Sequence, residues 1–238
     1  MSNDTLMVRK NSLWKKIFKY FLLTALSLLI VLTAAHFVWK ASGSNQWELA
    51  LEKNGVKVYE QKSPGTVWRK FRATAHIKTT LSNAVAAMKD TDIESCRAWI
   101  HGCATSQSVE AWDPQKLTFV QFYHVAVPFP LSPREFLLKT QFARDPGNQA
   151  VTAEFTAVPD ELPRNSCCIR VSHVHNRWRF TPLADDEVEV ELVQDLDAGG
   201  FFPYFVYNNR MPQGLYVLFS RLPKLLNKEK FQNAKLDF

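Results

Sequence analysis

Apolar and polar positions change rhythm several times along this chain. From Tyr20 to Trp39 no charged residue interrupts the sequence, and His36 is the only ionisable side chain other than Tyr20. A helix of that length matches the hydrocarbon thickness of a bilayer. Beyond it, Trp47–Asn54 (WELALEKN) carries Trp47, Leu49, Ala50 and Leu51, which predicts a helix that Gly55 stops. Val56–Gln61 (VKVYEQ) alternates, the period of a half-buried strand. Ser63-Pro64-Gly65 is a turn signal. Val67–Thr79 predicts one extended strand with Val67, Arg69, Phe71, Ala73, Ala75 and Ile77 on one face, where Arg69 is out of character. Thr80–Lys89 is an alanine-rich helix with a threonine at its start.

Asp90–Cys103 is irregular in pattern. The segments 105–112, 117–127, 135–144, 150–158, 168–182 and 187–196 then read as strands, with turns at Asp113-Pro114 and Asp145-Pro146-Gly147-Asn148. Short connections imply antiparallel pairing. Asp197, Gly199 and Gly200 turn the chain, because glycine tolerates positive φ. Pro203 then suits a helix start, and Met211, Leu215, Leu218, Leu222 and Leu226 lay one apolar stripe along that helix. Pro212 and Gly214 predict a kink within it. The order of elements gives an α+β fold, with a curved antiparallel sheet wrapped around a long C-terminal helix.

Charge changes this picture at one end only. The net charge of +6 resembles that of a nucleic-acid binder. Within residues 1–19, however, Arg9, Lys10, Lys15, Lys16 and Lys19 stand against Asp4, and this segment holds most of the excess. No basic run marks the later strands, so nucleic acid is not an expected partner. The basic flank before the apolar run predicts a cytoplasmic N-terminus and a domain across the inner membrane, with Trp14, Tyr20 and Trp39 as interfacial anchors. The competing reading is a signal peptide cleaved near Ala41-Ser42-Gly43. The expected segments are a basic N-terminus (1–19), an anchor (20–39), a linker (40–46), a folded domain (47–227) and a tail (228–238).

Cys96 and Cys103 either pair as a disulfide in an oxidising compartment or lie as buried thiols. Cys167 and Cys168 adjoin in an expected strand, which points them to opposite faces and predicts no bond between them. No nucleophile elbow, zinc-protease motif, phosphate loop or dinucleotide fingerprint occurs. Glu187, Glu189 and Glu191 alternate beside Asp185 and Asp186 as a solvated strand face. His173 and His175 read as satisfied histidines rather than catalytic ones. The chain is therefore expected to be non-catalytic, with no metal and no cofactor.

Four segments in register carry a resemblance: VKVYEQ; PFPLSPRE with Pro130, Arg134 and Glu135; IRVSHVHNRWRFTPL with Arg170, Val171, Trp178 and Pro182; and DLDAGGFFPYFVYN with Asp197, Gly200, Pro203 and Asn208. The span from Trp47 to Asn227 resembles the START domain, the lipid-transfer domain related to steroidogenic acute regulatory protein. The resemblance implies a helix-grip fold enclosing one lipid, sterol-like or other apolar molecule. The Pro-rich loop Val125–Glu135 and the C-terminal helix would gate it. Some members place a carboxylate and an arginine deep in the cavity; the matching places fall near Gln121 and Thr140, so the charged pair is missing here, which departs from the sterol-binding pattern and leaves an uncharged polar anchor open. Gln121, Tyr123, His124 and Arg170 are expected to orient the ligand's polar group. Phe129, Leu131, Phe202 and Phe205 would serve as lid residues, with Met211 and Leu215 lining the cavity. The alternatives are an enzyme of the same superfold acting on an apolar substrate, and a membrane-tethered interaction module.

Overall fold

Asn54 and Gly55 take φ values of 49° and 79°, the left-handed pair of a two-residue hairpin turn. They join β1 (Trp47–Lys53) to β2 (Val56–Lys62) in antiparallel register, from Lys53↔Val56 out to Trp47↔Gln61, with a bulge between Leu49 and Leu51. The helix expected over Trp47–Asn54 is therefore a strand. Pairing with β2 overrides a weak helical pattern, and Gly55 closes a hairpin instead of ending a helix. The computed structural model describes residues 3–236, with side chains from Trp14 onward. Residues 1–2 of the expected N-terminus and 237–238 of the expected tail lie outside the described residues.

The chain divides into two compact units. One holds α1 (Asn3–Ala41) and the turn 63–67. Within α1, Trp14–Ala41 is long and apolar enough to cross a membrane, as a signal sequence also is. At its end Trp39 Nε1 donates to the Val67 carbonyl at 3.0 Å, and the Gly65 N–H donates to the Lys40 carbonyl at 2.8 Å.

The other unit is built on one antiparallel path, β1-β2-β3-β10-β9-β7-β6-β5-β4. Its further strands are β3 (Arg69–Lys78), β4 (Cys103–Asp113), β5 (Thr118–Val125), β6 (Arg134–Arg144), β7 (Val151–Ala157), β9 (His173–Pro182) and β10 (Glu187–Gln194). Two short strands join from the side: β8 (Ile169–Arg170) runs parallel to β6, and β11 (Leu196–Asp197) pairs with β9. The single strand expected over 168–182 is thus broken at Val171 and Ser172, because its two halves serve different partners. Two helices, α2 (Leu81–Lys89) and α3 (Ile93–Trp99), are opened by Thr80 and Asp92, whose side chains accept the N–H groups of Asn83 and Ser95.

Alternation along the strands decides what faces the core. In β3, Phe71, Ala73, Ala75 and Ile77 are buried as expected, and Val188, Val190 and Leu192 of β10 join them. Arg69 is accounted for by Glu60, whose carboxylate accepts two bonds from its guanidinium at 2.9 Å each. The helix α4 (Tyr204–Leu226) packs on β1, β2 and β3 and buries Leu215, Phe219, Leu222 and Leu226. It continues through Pro212, Gly214 and Pro223. Its last turn is fastened by Asn227, which donates to the Lys78 carbonyl and accepts from the Thr79 hydroxyl. The sheet, wrapped on its C-terminal helix, is the expected α+β architecture.

Candidate functional site

On β5 and β6 the inward-facing residues change character along each strand. Phe119 and Phe142 belong to the large apolar cluster under α4, whereas Tyr123, Val125 and Leu138 belong to a smaller one with Cys96, Cys103, Val171 and Val174. Gln121 and Thr140 lie between them by alternation, and both are buried. The register Phe119↔Thr140 and Gln121↔Leu138 makes the two polar residues diagonal neighbours. A polar step thus divides two apolar regions.

The two polar residues differ in how they are satisfied. Gln121 Nε2 donates to the Thr91 carbonyl at 3.1 Å and to Ser106 Oγ at 2.7 Å, while the Tyr123 hydroxyl donates to Gln121 Oε1. Burial pushes the Tyr123 hydroxyl above its ordinary pKa, so it stays a donor. The Thr140 hydroxyl is fully buried and has no partner; among the described residues only Arg72 Nε shares that state. A buried hydroxyl without a partner is costly unless something supplies one.

Gln121 and Tyr123 come together, but His124 and Arg170 do not join them. Successive side chains of β5 point to opposite faces, so His124 falls on the face away from Gln121. There His124 Nε2 lies 3.9 Å from Cys168 Sγ, and Arg170 lies 5.6 Å from the Phe122 ring centre. Arg170 spends all its N–H groups on protein: Nε and Nη2 on Glu135, Nη1 on the carbonyls of Pro159 and Leu162, and Nη2 again on that of Pro163. The structure therefore sets these two residues apart from Gln121 and Tyr123. Arg170 is a clamp on the loop 159–163. Burial pushes the Glu135 carboxyl up, but its bonds from Asn165 and Arg170 outweigh that and hold it below the ordinary range.

A second buried arginine joins two loop segments. Arg134 donates from Nε to the Ala198 carbonyl at 3.2 Å and from Nη2 to those of Gly199 and Phe201 at 3.0 Å each, and Nη1 reaches the Ser132 carbonyl. It therefore ties the Pro-rich loop to the turn that opens α4. Gly199 and Gly200 have φ values of 67° and 57°, as their role in the turn required, and Ile169 packs against both. The Asp197 carboxylate braces this turn by accepting from the Gly199 N–H and the Tyr204 hydroxyl. Of the expected lid residues, Phe129 is 96% exposed and Phe205 81%, joined by Phe201 at 83%. Leu131 is half-buried, and Phe202 lies under Arg134 and against Tyr204 and Tyr207. Met211 is half-buried, and Leu215 is buried in the large cluster.

Other groupings are engaged elsewhere. His173 Nε2 donates to the Asp195 carboxylate at 3.0 Å, and its ring meets His175 edge-on. Burial raises the Asp195 carboxyl, and Lys70, Trp68 and His173 more than offset this. An open cleft of 380 Å³ between α2 and the C-terminal segment is crossed by Lys230, which is ion-paired with Asp90 and Asp92. Its charged rim does not suit an apolar ligand. Cys96 and Cys103 are disulfide-bonded across α3 and β4. Cys167 and Cys168 are also bonded to each other, contrary to expectation. They occupy a turn, so strand alternation does not drive them apart. Glu135, Cys167 and Cys168 bring possible ligand atoms within 4.8 Å of one another, but the carboxylate already holds Asn165 and Arg170, and the sulfurs are bonded together.

A curved antiparallel sheet gripping its last helix, with apolar regions divided by a polar step, defines the helix-grip class of binding domain. Residues 33–230 match the START domain family, and the chain belongs to it. The uncharacterized protein PA1579 of Pseudomonas aeruginosa is 25% identical over 171 residues, covering 70% of this chain and 79% of that protein. The STAR-related lipid transfer protein of Xanthomonas axonopodis, solved as the fragment 25–204, is 25% identical with a TM-score of 0.68, covering 76% of this chain and 99% of its own. Human StAR-related lipid transfer protein 5 shares the fold with a TM-score of 0.62 at 17% identity, covering 85% of this chain and 96% of its own.

Proposed function

We propose that this chain binds one lipid-like apolar molecule between the sheet and α4, without catalysis, and exchanges it with a membrane to which α1 tethers it. The observation that carries this reading is the unpartnered Thr140 hydroxyl, fully buried between two apolar regions. Apolar burial contributes about 0.8 kcal/mol per methylene and would supply most of the affinity. Thr140 would then give orientation through one hydrogen bond to a neutral hydroxyl or carbonyl of the ligand. Beside it, Gln121 and Tyr123 are uncharged, while Arg134, Glu135 and Arg170 are bound to protein groups. The preferred ligand is therefore a neutral lipid rather than one whose charged headgroup enters the domain.

Phe129, Phe201 and Phe205, carried on segments that Arg134 ties together, would meet the bilayer when the gate opens. The basic flank of α1 favours a cytoplasmic N-terminus, with the binding domain on the far side of the inner membrane. A reporter fused after Phe238 tests that orientation, and activity confined to the cytoplasm would reverse it. For binding, the full chain in detergent is mixed with vesicles carrying either diacylglycerol or phosphatidylglycerol. Uptake of diacylglycerol, reduced about fivefold in Thr140→Val, is the expected result, since one hydrogen bond contributes about 1 kcal/mol. No uptake of either lipid would overturn the reading.

A further inference from the structure

Cys167 and Cys168 are bonded to each other in the turn that leads into β8. A disulfide stabilises a fold largely by restricting the unfolded chain, and the gain grows with the loop it closes. Adjacent residues close no loop, so stability does not account for this bond. Cys96 and Cys103 make the contrast: their sequence separation is 7, and both are buried. Cys167, by comparison, is exposed and Cys168 half-buried. Cys168 Sγ has the imidazole Nε2 of His124 at 3.9 Å. The turn is anchored on both sides of the pair, through Asn165 to Glu135 and through Arg170 to Glu135 and the 159–163 loop. None of these groups has a part in the lipid binding proposed above.

We infer that Cys167–Cys168 is a thiol–disulfide exchange site that accepts electrons from a dithiol reductant. Sγ of the exposed residue Cys167 is the atom attacked. A reductant thiolate forms a bond to it, the Cys167–Cys168 bond breaks, and Cys168 leaves with the electron pair. Proton donation from His124 Nε2, 3.9 Å away, neutralises that sulfur. The second thiol of the reductant then attacks the mixed disulfide, forms the reductant's own disulfide and releases Cys167. The protein gains two electrons and two protons, and the dithiol is oxidised by the same amount. Ile169, next to Cys168, packs on Gly199 and Gly200, so the opened turn adjoins the root of α4.

The test uses the full chain in detergent, exposed for one short fixed time to graded dithiothreitol, quenched with N-ethylmaleimide and mapped by peptide mass spectrometry, so that the rate of opening is read. Cys167 and Cys168 should acquire maleimide at a dithiothreitol concentration roughly tenfold below that needed for Cys96 and Cys103, as exposure and leaving-group stabilisation require. His124→Gln should slow opening of the first pair roughly fivefold and change its pH profile, with the Cys96–Cys103 pair unaffected as an internal measure of folding. Labelling of Cys167 and Cys168 without reductant, or opening of both pairs at one concentration, would overturn the site. An unchanged rate and pH profile in His124→Gln would remove His124 from it. Lipid uptake is a separate readout, so failure of either proposal leaves the other standing.

Discussion

Two regions of the binding domain are held together by different physics. Beneath α4, Leu215, Phe219, Leu222 and Leu226 meet Phe71, Ala73, Val58 and their neighbours, an almost wholly apolar contact. Around the start of β6, Arg134 and Arg170 are buried among loop carbonyls, with Glu135 as the counter-charge of Arg170. Apolar packing is non-directional, so the first region tolerates a change of shape at similar volume. A buried guanidinium is held by bonds of fixed direction, so the second tolerates neither loss of charge nor loss of geometry. The Pro-rich loop, the turn before α4 and the 159–163 loop hang from the directional region, which ties their position to two side chains.

The comparison can be broken by substitution. Glu135→Ala leaves Arg170 buried without its counter-charge and should lower unfolding stability by about 3–5 kcal/mol in urea titration. Arg170→Lys should come close to that loss, because an ammonium cannot span three carbonyls and a carboxylate. Acid reads the same pair. The folded-state pKa of Glu135 lies below its ordinary value, so its stabilisation is full above the ordinary carboxylate range and is lost as pH falls through the folded value. Glu135→Gln should flatten that part of the acid-unfolding profile.

Under α4 the expected pattern differs. Leu222→Ala should cost about 2–5 kcal/mol, but Leu222→Met less than about 1.5 kcal/mol. The contrast fails if Arg170→Lys proves as mild as Leu222→Met. At the turn, Gly199→Ala should cost about 1–2 kcal/mol, because its φ of 67° disfavours a side chain and Ile169 crowds the added carbon. The smallest effect on stability, within about 0.5 kcal/mol, belongs to the exposed pair Phe129→Ser and Phe205→Ser. The same double variant should take up diacylglycerol from vesicles more slowly, and an unchanged rate would remove these rings from the membrane contact.

The two regions also differ in how far the sequence reveals them. Periodicity found the stripe of α4, the buried face of β3 and the alternation of β10, because burial repeats with the geometry of the element. The positive φ values at Gly199 and Gly200 followed from residue type alone. Asn54-Gly55 was equally legible as a hairpin signal, but the apolar cluster at Leu49–Leu51 pointed to a helix instead. His124 could have been set apart from Tyr123 by strand alternation. Arg134 and Arg170 were visible as motif residues, but their carbonyl partners sit in loops whose path no periodicity encodes. The Cys167–Cys168 bond was hidden for the same reason, since a turn stood where a strand was expected. Thr140 gave its position in advance, whereas its lack of a partner emerges only when every neighbouring donor and acceptor is placed.

The claim that the interior is built for one neutral lipid is tested most directly by native mass spectrometry of the full chain, released gently from detergent after purification from membranes. A single adduct of lipid mass per chain, identified as a neutral lipid and largely lost in Thr140→Val while that variant keeps its fold, is the predicted result. A chain that emerges bare from lipid-rich membranes, or adducts that Thr140→Val leaves unchanged, would contradict it.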